Sequence, residues 1–427
     1  MYKEIFFEIS GRCNALCPWC YTGRKNRNSR NIQGEYISPF DFEKAIKYML
    51  NNDIVNHSSV INLFNWGEPF LNPNFKDIIN ILNNYELKYG LSTNASKVVN
   101  FSEGNALRNL DLITFSMPGF SQYSYDKIHG FNFEKIKSNI QTILNNFRNC
   151  GFKGTAQIAY HVYQFNLNEI EEAYLFAGQN NIMLVPQYAY LAGYSMFSQY
   201  LKSELSYEEV KKASQELVLY YLNNKIKEKP MNYQCRQFDI LTLDERCNVL
   251  TCCAVTEEQS DYSIGKLFDL SLKEIKELKL SREICKECDE LGLNYIGGNP
   301  QLYLSKYQPT YRSLKRVLNS IFDNAEGKNV GVYGTGVHTD RMLTAYNDIF
   351  GSFKFNLFFF DSNEEKWGKV YHNSLINNPQ DIEKFNLDRV IISSYSFQEQ
   401  IYRRIKSVEK TGINIVKIYN EGDESLF

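Results

Sequence analysis

Strand–helix alternation over the first 190 residues predicts an α/β protein built on a parallel sheet, and three observations carry that expectation. Short β-like runs recur at 3–10, 60–66, 90–94, 112–117, 155–162 and 182–188. Helical stretches separate them, and strand–helix repeats of this size imply βαβ units. A second α/β pattern begins at Lys328, beyond a segment with six cysteines between Cys235 and Cys288. With 427 residues the chain has room for about three domains.

Each element has a local cause. Before the stretch 38–51, Ser38 can cap a helix and Pro39 suits its first turn. Stretches 75–87 and 133–147 place apolar residues three and four apart. Residues 201–230, with Glu208-Glu209-Val210 and Leu217-Val218-Leu219, read as a helix closing the first domain. The division expected is 1–200, a cysteine-rich domain 201–300, a helical Tyr-rich connection 301–327 and an α/β domain 328–427. In parallel α/β architecture the active site lies at the C-terminal ends of the strands.

Composition excludes several classes. Hydrophobic residues at 43% and charged residues at 22% describe an ordinary globular chain. A formal net charge of −2 gives a nucleic-acid partner no electrostatic support. No apolar run approaches the ~20 residues a membrane span needs, and Glu4 and Glu8 interrupt any signal-like pattern at the N-terminus. A cytoplasmic location is expected, with no membrane partner. Ten cysteines there suit metal thiolates better than disulfides. The 30 Tyr and 29 Phe read as core, with some surface for stacking a substrate.

The decisive motif follows the first strand. Cys13, Cys17 and Cys20 are spaced C-x3-C-x2-C in GRCNALCPWCY. Three thiolates on one loop can hold three corners of a cubane iron–sulfur cluster and leave the fourth iron open to a small molecule. The alternative is zinc, which wants four tetrahedral ligands, but the nearest further donor, His57, is distant and the chain has only five histidines. A zinc-stabilised interaction protein is the non-enzymatic reading.

This loop and its setting resemble the radical S-adenosylmethionine enzymes. The resemblance implies a partial (β/α)6 TIM-like barrel and a [4Fe-4S] cluster whose open iron chelates S-adenosylmethionine. It further implies an electron donor such as flavodoxin or ferredoxin, and a 5′-deoxyadenosyl radical that takes hydrogen from substrate. Trp19 fills the aromatic slot near the adenine. Gly67, Glu68 and Pro69, in Asn65-Trp66-Gly67-Glu68-Pro69, match the motif that holds the amino group of S-adenosylmethionine. Asn94, ending Ser92-Thr93-Asn94, and Ser116 match positions that contact its carboxylate and ribose. His129, in the loop after the fourth strand, could face substrate; a surface histidine is the simpler expectation.

Cys235, Cys247, Cys252, Cys253, Cys285 and Cys288 run C-x11-C-x4-C-C…C-x2-C. Judged alone, Cys285-Lys286-Glu287-Cys288 with two upstream thiolates would also suit structural zinc. The pattern resembles the SPASM/Twitch auxiliary-cluster domain in its one-cluster form. Matched residue by residue, that resemblance implies Cys235, Cys252, Cys285 and Cys288 as ligands of one auxiliary [4Fe-4S] cluster. The family usually has glycine where Cys247 stands, so whether Cys247, Cys252 or Cys253 ligates stays open at this point. Four thiolates would leave no open iron, which suits electron transfer. A thiol at Cys247 or Cys253 could instead return a hydrogen atom to substrate, which would give epimerisation. Cys150 reads as core.

At 329–339 a strand leads into Gly334-Thr335-Gly336-Val337-His338-Thr339. Thr339 occupies the third glycine slot of a dinucleotide fingerprint and Asp361 lies beyond the usual spacing, which argues against nicotinamide. Backbone N–H groups near Gly336 could hold a phosphate. The segment resembles small Rossmann-like modules attached to sugar-modifying enzymes and acyltransferases, where a nucleotide-sugar or a partner docks; the plainer role is docking or dimerisation. The combined expectation is an enzyme that dehydrogenates or epimerises a sugar or nucleotide-sugar. A ribosomal-peptide maturase is the alternative, disfavoured because the chain begins at its first strand without a peptide-recognition domain.

Overall fold

The structure, a computed structural model, describes residues 1–29, 32–102, 104–189, 191, 193–219, 226–298 and 317–420. Two compact units emerge: Met1–Ser206 with Tyr221–Leu304, and Tyr207–Tyr220 with Ser305–Phe427.

The first unit is organised by β1 (Glu4–Phe7), β2 (Val60–Asn62), β3 (Lys88–Thr93), β4 (Leu110–Met117), β5 (Thr155–Val162) and β6 (Met183–Tyr188). All six pair in parallel, in sequence order. The sheet continues on the other side of β1 through β7 (Ile240–Leu243), which runs parallel to it from Glu4 opposite Ile240 to Phe7 opposite Leu243. Then β8 (Asn248–Leu250) and β9 (Ser263–Lys266) follow in antiparallel pairings. The barrel strands therefore grade directly into the cysteine-rich segment.

Helices cover the sheet as their patterns demand. Ser38 caps Pro39–Asn51 through the N–H of Asp41 (3.1 Å), and Asn132 caps Phe133–Asn149 through Lys135 (2.8 Å). The second of these buries Ile136, Ile140, Ile143, Leu144 and Phe147. Such side chains contribute about 1.5–3 kcal/mol each when fully buried.

Three details differ from the sequence expectation. The second strand ends at Asn62 rather than at 66, because Trp66 and Gly67 turn their N–H groups onto the Glu8 carboxylate at 2.5 and 2.9 Å. The helix expected over 201–230 is not continuous: Ser203, at φ +60°, separates Gly193–Leu201 from Tyr207–Glu216, and residues 220–225 lie outside the described residues. Tyr207–Glu216 packs on Val337–Phe350 in the second unit instead of closing the first. Of the expected connection 301–327, residues 301–316 lie outside the described residues.

The second unit holds β10 (Asn329–Tyr333), β11 (Asn356–Phe360), β12 (Val370–Tyr371), β13 (Ser374–Asn377), β14 (Arg389–Ile392) and β15 (Asn414–Lys417). Their order is β12-β13-β11-β10-β14-β15, parallel except for the β12–β13 pair. The two crossovers from β10 thus run in opposite directions.

Asn72 fixes the start of the cysteine loop. Its buried amide donates to the Ile9 carbonyl (2.7 Å) and the Ile37 carbonyl (3.2 Å). An unpaired buried polar group costs about 1–3 kcal/mol. Asn72→Leu is therefore expected to lower unfolding free energy by about 1–3 kcal/mol or more in urea titrations of the cluster-free protein. Unchanged stability would contradict that role.

Candidate active site

The loop after β1 is held rigid by its own backbone bonds. Asn26 donates to the carbonyls of Cys13 (2.6 Å) and Ala15 (3.2 Å), Arg27 reaches the carbonyls of Leu16 and Lys127, and Leu16 N–H bonds the His129 carbonyl (3.1 Å). The helix Tyr21–Ser29 begins directly after Cys20, so the N–H groups of Thr22 and Gly23 point at that thiol. Helix N-termini favour negative charge, which suits a thiolate. Gly23 is needed for this approach: a Cβ there would sit 2.4 Å from the Cys17 carbonyl oxygen.

Cys13, Cys17 and Cys20 open onto one cavity of about 470 Å³. Burial pushes all three thiols above their ordinary range. Loading metal there must therefore displace protons. Trp19, Gly67, Glu68, Asn94 and Ser116 line the same cavity, and Pro69 does not: it starts the buried turn Pro69–Leu71. Gly67 approaches so closely that a Cβ would lie 1.7 Å from the Ser10 carbonyl oxygen. The Glu68 carboxylate accepts from Phe70 N–H (3.1 Å), Thr93 Oγ1 (2.7 Å) and Asn94 N–H (2.7 Å), and burial raises it to about 7. A carboxylate has about four acceptor positions, so most of this group's capacity ties the β2 and β3 ends together. Asn94 also reaches Cys13 Sγ (3.8 Å) and Asn14 Oδ1 (3.1 Å).

The opposite wall brings in residues that the sequence reading misplaced or missed. His129 is buried at 3% exposure rather than on the surface, edge-on to Tyr125 and Phe131. His161, near the end of β5, stands beside Gln187 of β6 and also lines the cavity. Burial lowers both imidazoles, His129 to about 3 with a further push from His161, and His161 to about 4. Both are neutral at pH 7. Their signal in the sequence was a polar residue at the end of an otherwise apolar strand or loop.

The second cysteine group reaches this cavity too. Cys235, Cys252, Cys253 and Cys288 line it, and a neighbouring space of about 430 Å³ is lined by Cys235, Cys252, Cys285 and Cys288. Cys285 and Cys288 lie one turn apart on Glu283–Glu290 and so share a face. Burial raises Cys285 and Cys253 to about 12, Cys253 with help from Cys252. Among the described residues no three Cys, His, Asp or Glu side chains converge so as to hold a single metal ion. A cubane spreads its cysteine ligands over separate irons, which is a wider demand.

Cys247 stands apart. It is buried in the β7–β8 turn at φ +58° and lines neither cavity. That is the left-handed region which glycine adopts without cost. Cys150 caps Phe133–Asn149, with its thiol on the Phe101 carbonyl (3.3 Å).

In the second unit Asp361 turns inward. Its carboxylate takes Thr335 N–H (3.0 Å), Thr335 Oγ1 (2.5 Å) and Lys366 Nζ (2.9 Å), which locks the glycine turn. Thr339 bonds the Gly334 carbonyl (2.7 Å), and His338 bridges Ser393 Oγ (2.8 Å) and Tyr419 OH (2.7 Å).

A family profile described as the radical SAM superfamily matches residues 7–177. The chain carries a radical S-adenosylmethionine domain. A second profile, described as C2185-like, N-terminal, matches residues 326–418. A probable GTP 3′,8-cyclase of Methanococcus aeolicus is 25% identical over 143 residues, 33% of this chain and 45% of that protein. An uncharacterised protein of Methanocaldococcus jannaschii is 28% identical over 115 residues, 26% of this chain and 36% of that protein. The matches thus span less than half of either relative. Among solved structures, Streptococcus suis SuiB bound to precursor peptide SuiA has a TM-score of 0.45 at 12% identity, covering 65% of this chain and 64% of that one. Native anSMEcpe with bound AdoMet has 0.44 at 16%, covering 68% and 87%.

Radical SAM enzymes use S-adenosylmethionine and a [4Fe-4S] cluster. The residues present fit both: three thiols share one cavity, helix N–H groups face Cys20, and Gly67 leaves room at the backbone.

Glu8 behind this site is buried, with Oε1 lacking a hydrogen-bond partner, and burial raises it to about 8. A raised carboxyl contributes stability at low pH that is lost as pH rises through its folded value. Glu8→Gln in the cluster-free protein is therefore expected to reduce the loss of melting temperature between pH 6 and pH 9; an unaltered pH profile would contradict it. Cys247→Gly should raise the melting temperature, by relief of roughly 1 kcal/mol of backbone strain, and leave turnover intact.

Proposed function

We propose that this radical SAM enzyme is an oxidoreductase that dehydrogenates a sugar or nucleotide-sugar, with epimerisation of the same substrate class as the competing outcome. The observation that carries the reading is one cavity lined both by Cys13, Cys17 and Cys20 and by Cys235, Cys252 and Cys288. Cys235, Cys252, Cys285 and Cys288 are proposed as ligands of an auxiliary cluster in a SPASM/Twitch-type segment.

When bound, S-adenosylmethionine with its cluster supplies hydrogen-atom abstraction, and an auxiliary cluster supplies a one-electron sink. The chain's own residues do the rest. Oxidising a carbinol to a carbonyl removes one hydrogen atom, one proton and one electron. His161 and His129, neutral and lining the cavity, are placed to accept a hydrogen bond from the hydroxyl and pass its proton on to solvent. Gln187 and Tyr163 offer hydrogen bonds to a polyol. Apolar Leu191 and Phe197 limit water at the same wall. Cys253 lines the cavity and is the proposed thiol donor if the product is an epimer.

The second unit's crossovers, reversing at β10, support a Rossmann-like module whose role is to dock substrate or partner. With Asp361 committed to Thr335 and Lys366, it lacks the free acid that a dinucleotide ribose wants. A flavodoxin or ferredoxin is the proposed reductant.

Reconstituted without oxygen and given dithionite, the protein should form 5′-deoxyadenosine from S-adenosylmethionine. The triple variant Cys13→Ala, Cys17→Ala, Cys20→Ala should form none. A product two mass units lighter supports dehydrogenation, and Cys253→Ala should spare it. Solvent deuterium retained at a product carbon, abolished by Cys253→Ala, would mean epimerisation instead. Turnover of a peptide and no sugar would overturn the substrate assignment.

A further inference from the structure

A buried lysine is tied to the backbone just after Cys235, and none of the chemistry above uses it. Lys279 lies on the helix Leu272–Leu280, which begins with a reciprocal Ser271–Glu274 cap. The sequence Leu-Lys-Glu-Ile-Lys-Glu-Leu-Lys-Leu gives no hint that its last lysine points inward, yet Lys279 is 1% exposed. Its ammonium donates to the carbonyls of Gln237 (2.8 Å) and Ile240 (2.6 Å), and the Tyr2 ring centre is 5.9 Å away. Among the described residues no carboxylate pairs with it. Gln237, whose carbonyl it holds, lines the space shared by Cys235, Cys252, Cys285 and Cys288, so these four thiols are the groups from which an opposite charge would come.

Burying an ammonium costs several kcal/mol unless an opposite charge compensates. Two carbonyl dipoles satisfy two of its three donors and none of its charge. Neutral thiols would leave the cost uncompensated. Thiolates bound to iron would supply the missing negative charge in a medium where salt screens little. The two tied carbonyls flank the segment between Cys235 and β7, so the lysine also holds this ligand's backbone in place.

We infer that Lys279 is the resident countercharge of the auxiliary centre held by Cys235, Cys252, Cys285 and Cys288, and that its ammonium raises that centre's reduction potential. The inference rests on the auxiliary-cluster reading. Reduction adds a negative charge, and a fixed positive charge nearby stabilises the reduced form more than the oxidised one. The centre becomes a better electron acceptor, which biases the enzyme toward dehydrogenation and away from hydrogen return by a thiol.

The test uses full-length protein carrying Cys13→Ala, Cys17→Ala and Cys20→Ala, so that only the auxiliary centre loads. Iron and sulfide counts come first: four of each are expected, and a parent that binds none ends the auxiliary-cluster reading itself. Potentiometric titration followed by EPR then compares the parent with Lys279→Gln and Lys279→Arg in the same background. Lys279→Gln keeps donors for the two carbonyls but loses the charge. It should weaken reduction at least tenfold, which is 59 mV for a one-electron couple, and Lys279→Arg should restore it. A fully loaded Lys279→Gln protein with an unmoved midpoint overturns the inference.

Lys279→Met adds a readout that does not depend on the titration. Ordinary thiols are neutral at pH 7, so in the cluster-free protein nothing offsets the burial that disfavours a charged Lys279, and the variant should melt higher than its parent. With iron loaded the variant should melt lower than its parent. A mere structural tie would lose stability in both states, and that result also overturns the inference.

Discussion

The pairing of β7 alongside β1 is the constraint on which the rest of the first unit depends. Four residues on each strand, Glu4 to Phe7 and Ile240 to Leu243, join segments more than 230 residues apart in sequence. Long-range parallel pairing carries a loop-closure cost before its hydrogen bonds repay it. What it gains here is proximity of two thiol groups. The loop after β1 carries Cys13 to Cys20, and the chain on either side of β7 and β8 carries Cys235, Cys252 and Cys253. Both groups end on the wall of one cavity. Ile5, Phe7, Leu241 and Leu243 are buried at the seam, so apolar packing and backbone bonding act on the same residues.

The legible parts of the molecule were those decided locally. The C-x3-C-x2-C spacing lies within one loop, and β5 was read to the residue because Thr155–Val162 is apolar, β-branched and bounded by glycine. Caps at Ser38 and Asn132 behave as their chemistry dictates. The failures were tertiary. Nothing near Trp66 announces that its N–H would turn onto Glu8, 58 residues earlier, and end the strand. His129 looked like a surface loop residue because its burial is created by Tyr125, Phe131 and the cysteine loop packing around it. Lys279 sits in a lysine- and glutamate-rich helix and is indistinguishable there from Lys273 or Lys276. Pro69 completes its motif in sequence and turns away from the cavity in space.

Electrostatically, the cavity wall is built of groups whose burial shifts their ordinary charge states. Two imidazoles are neutral, the Glu68 carboxyl is pushed toward neutrality, and burial raises the thiols. Such an environment magnifies every charge that does enter. A sulfonium, an iron–sulfur centre and a proton leaving substrate would each be felt strongly.

All ten cysteines in this chain are free, and several are near neighbours: Cys252 abuts Cys253, and Cys285 stands one helical turn from Cys288. Free thiols brought this close are open to oxidation or to metal ligation. If these thiols hold iron–sulfur centres as proposed, oxidation before loading would consume the ligands, so iron and sulfide would have to reach the new polypeptide ahead of oxygen.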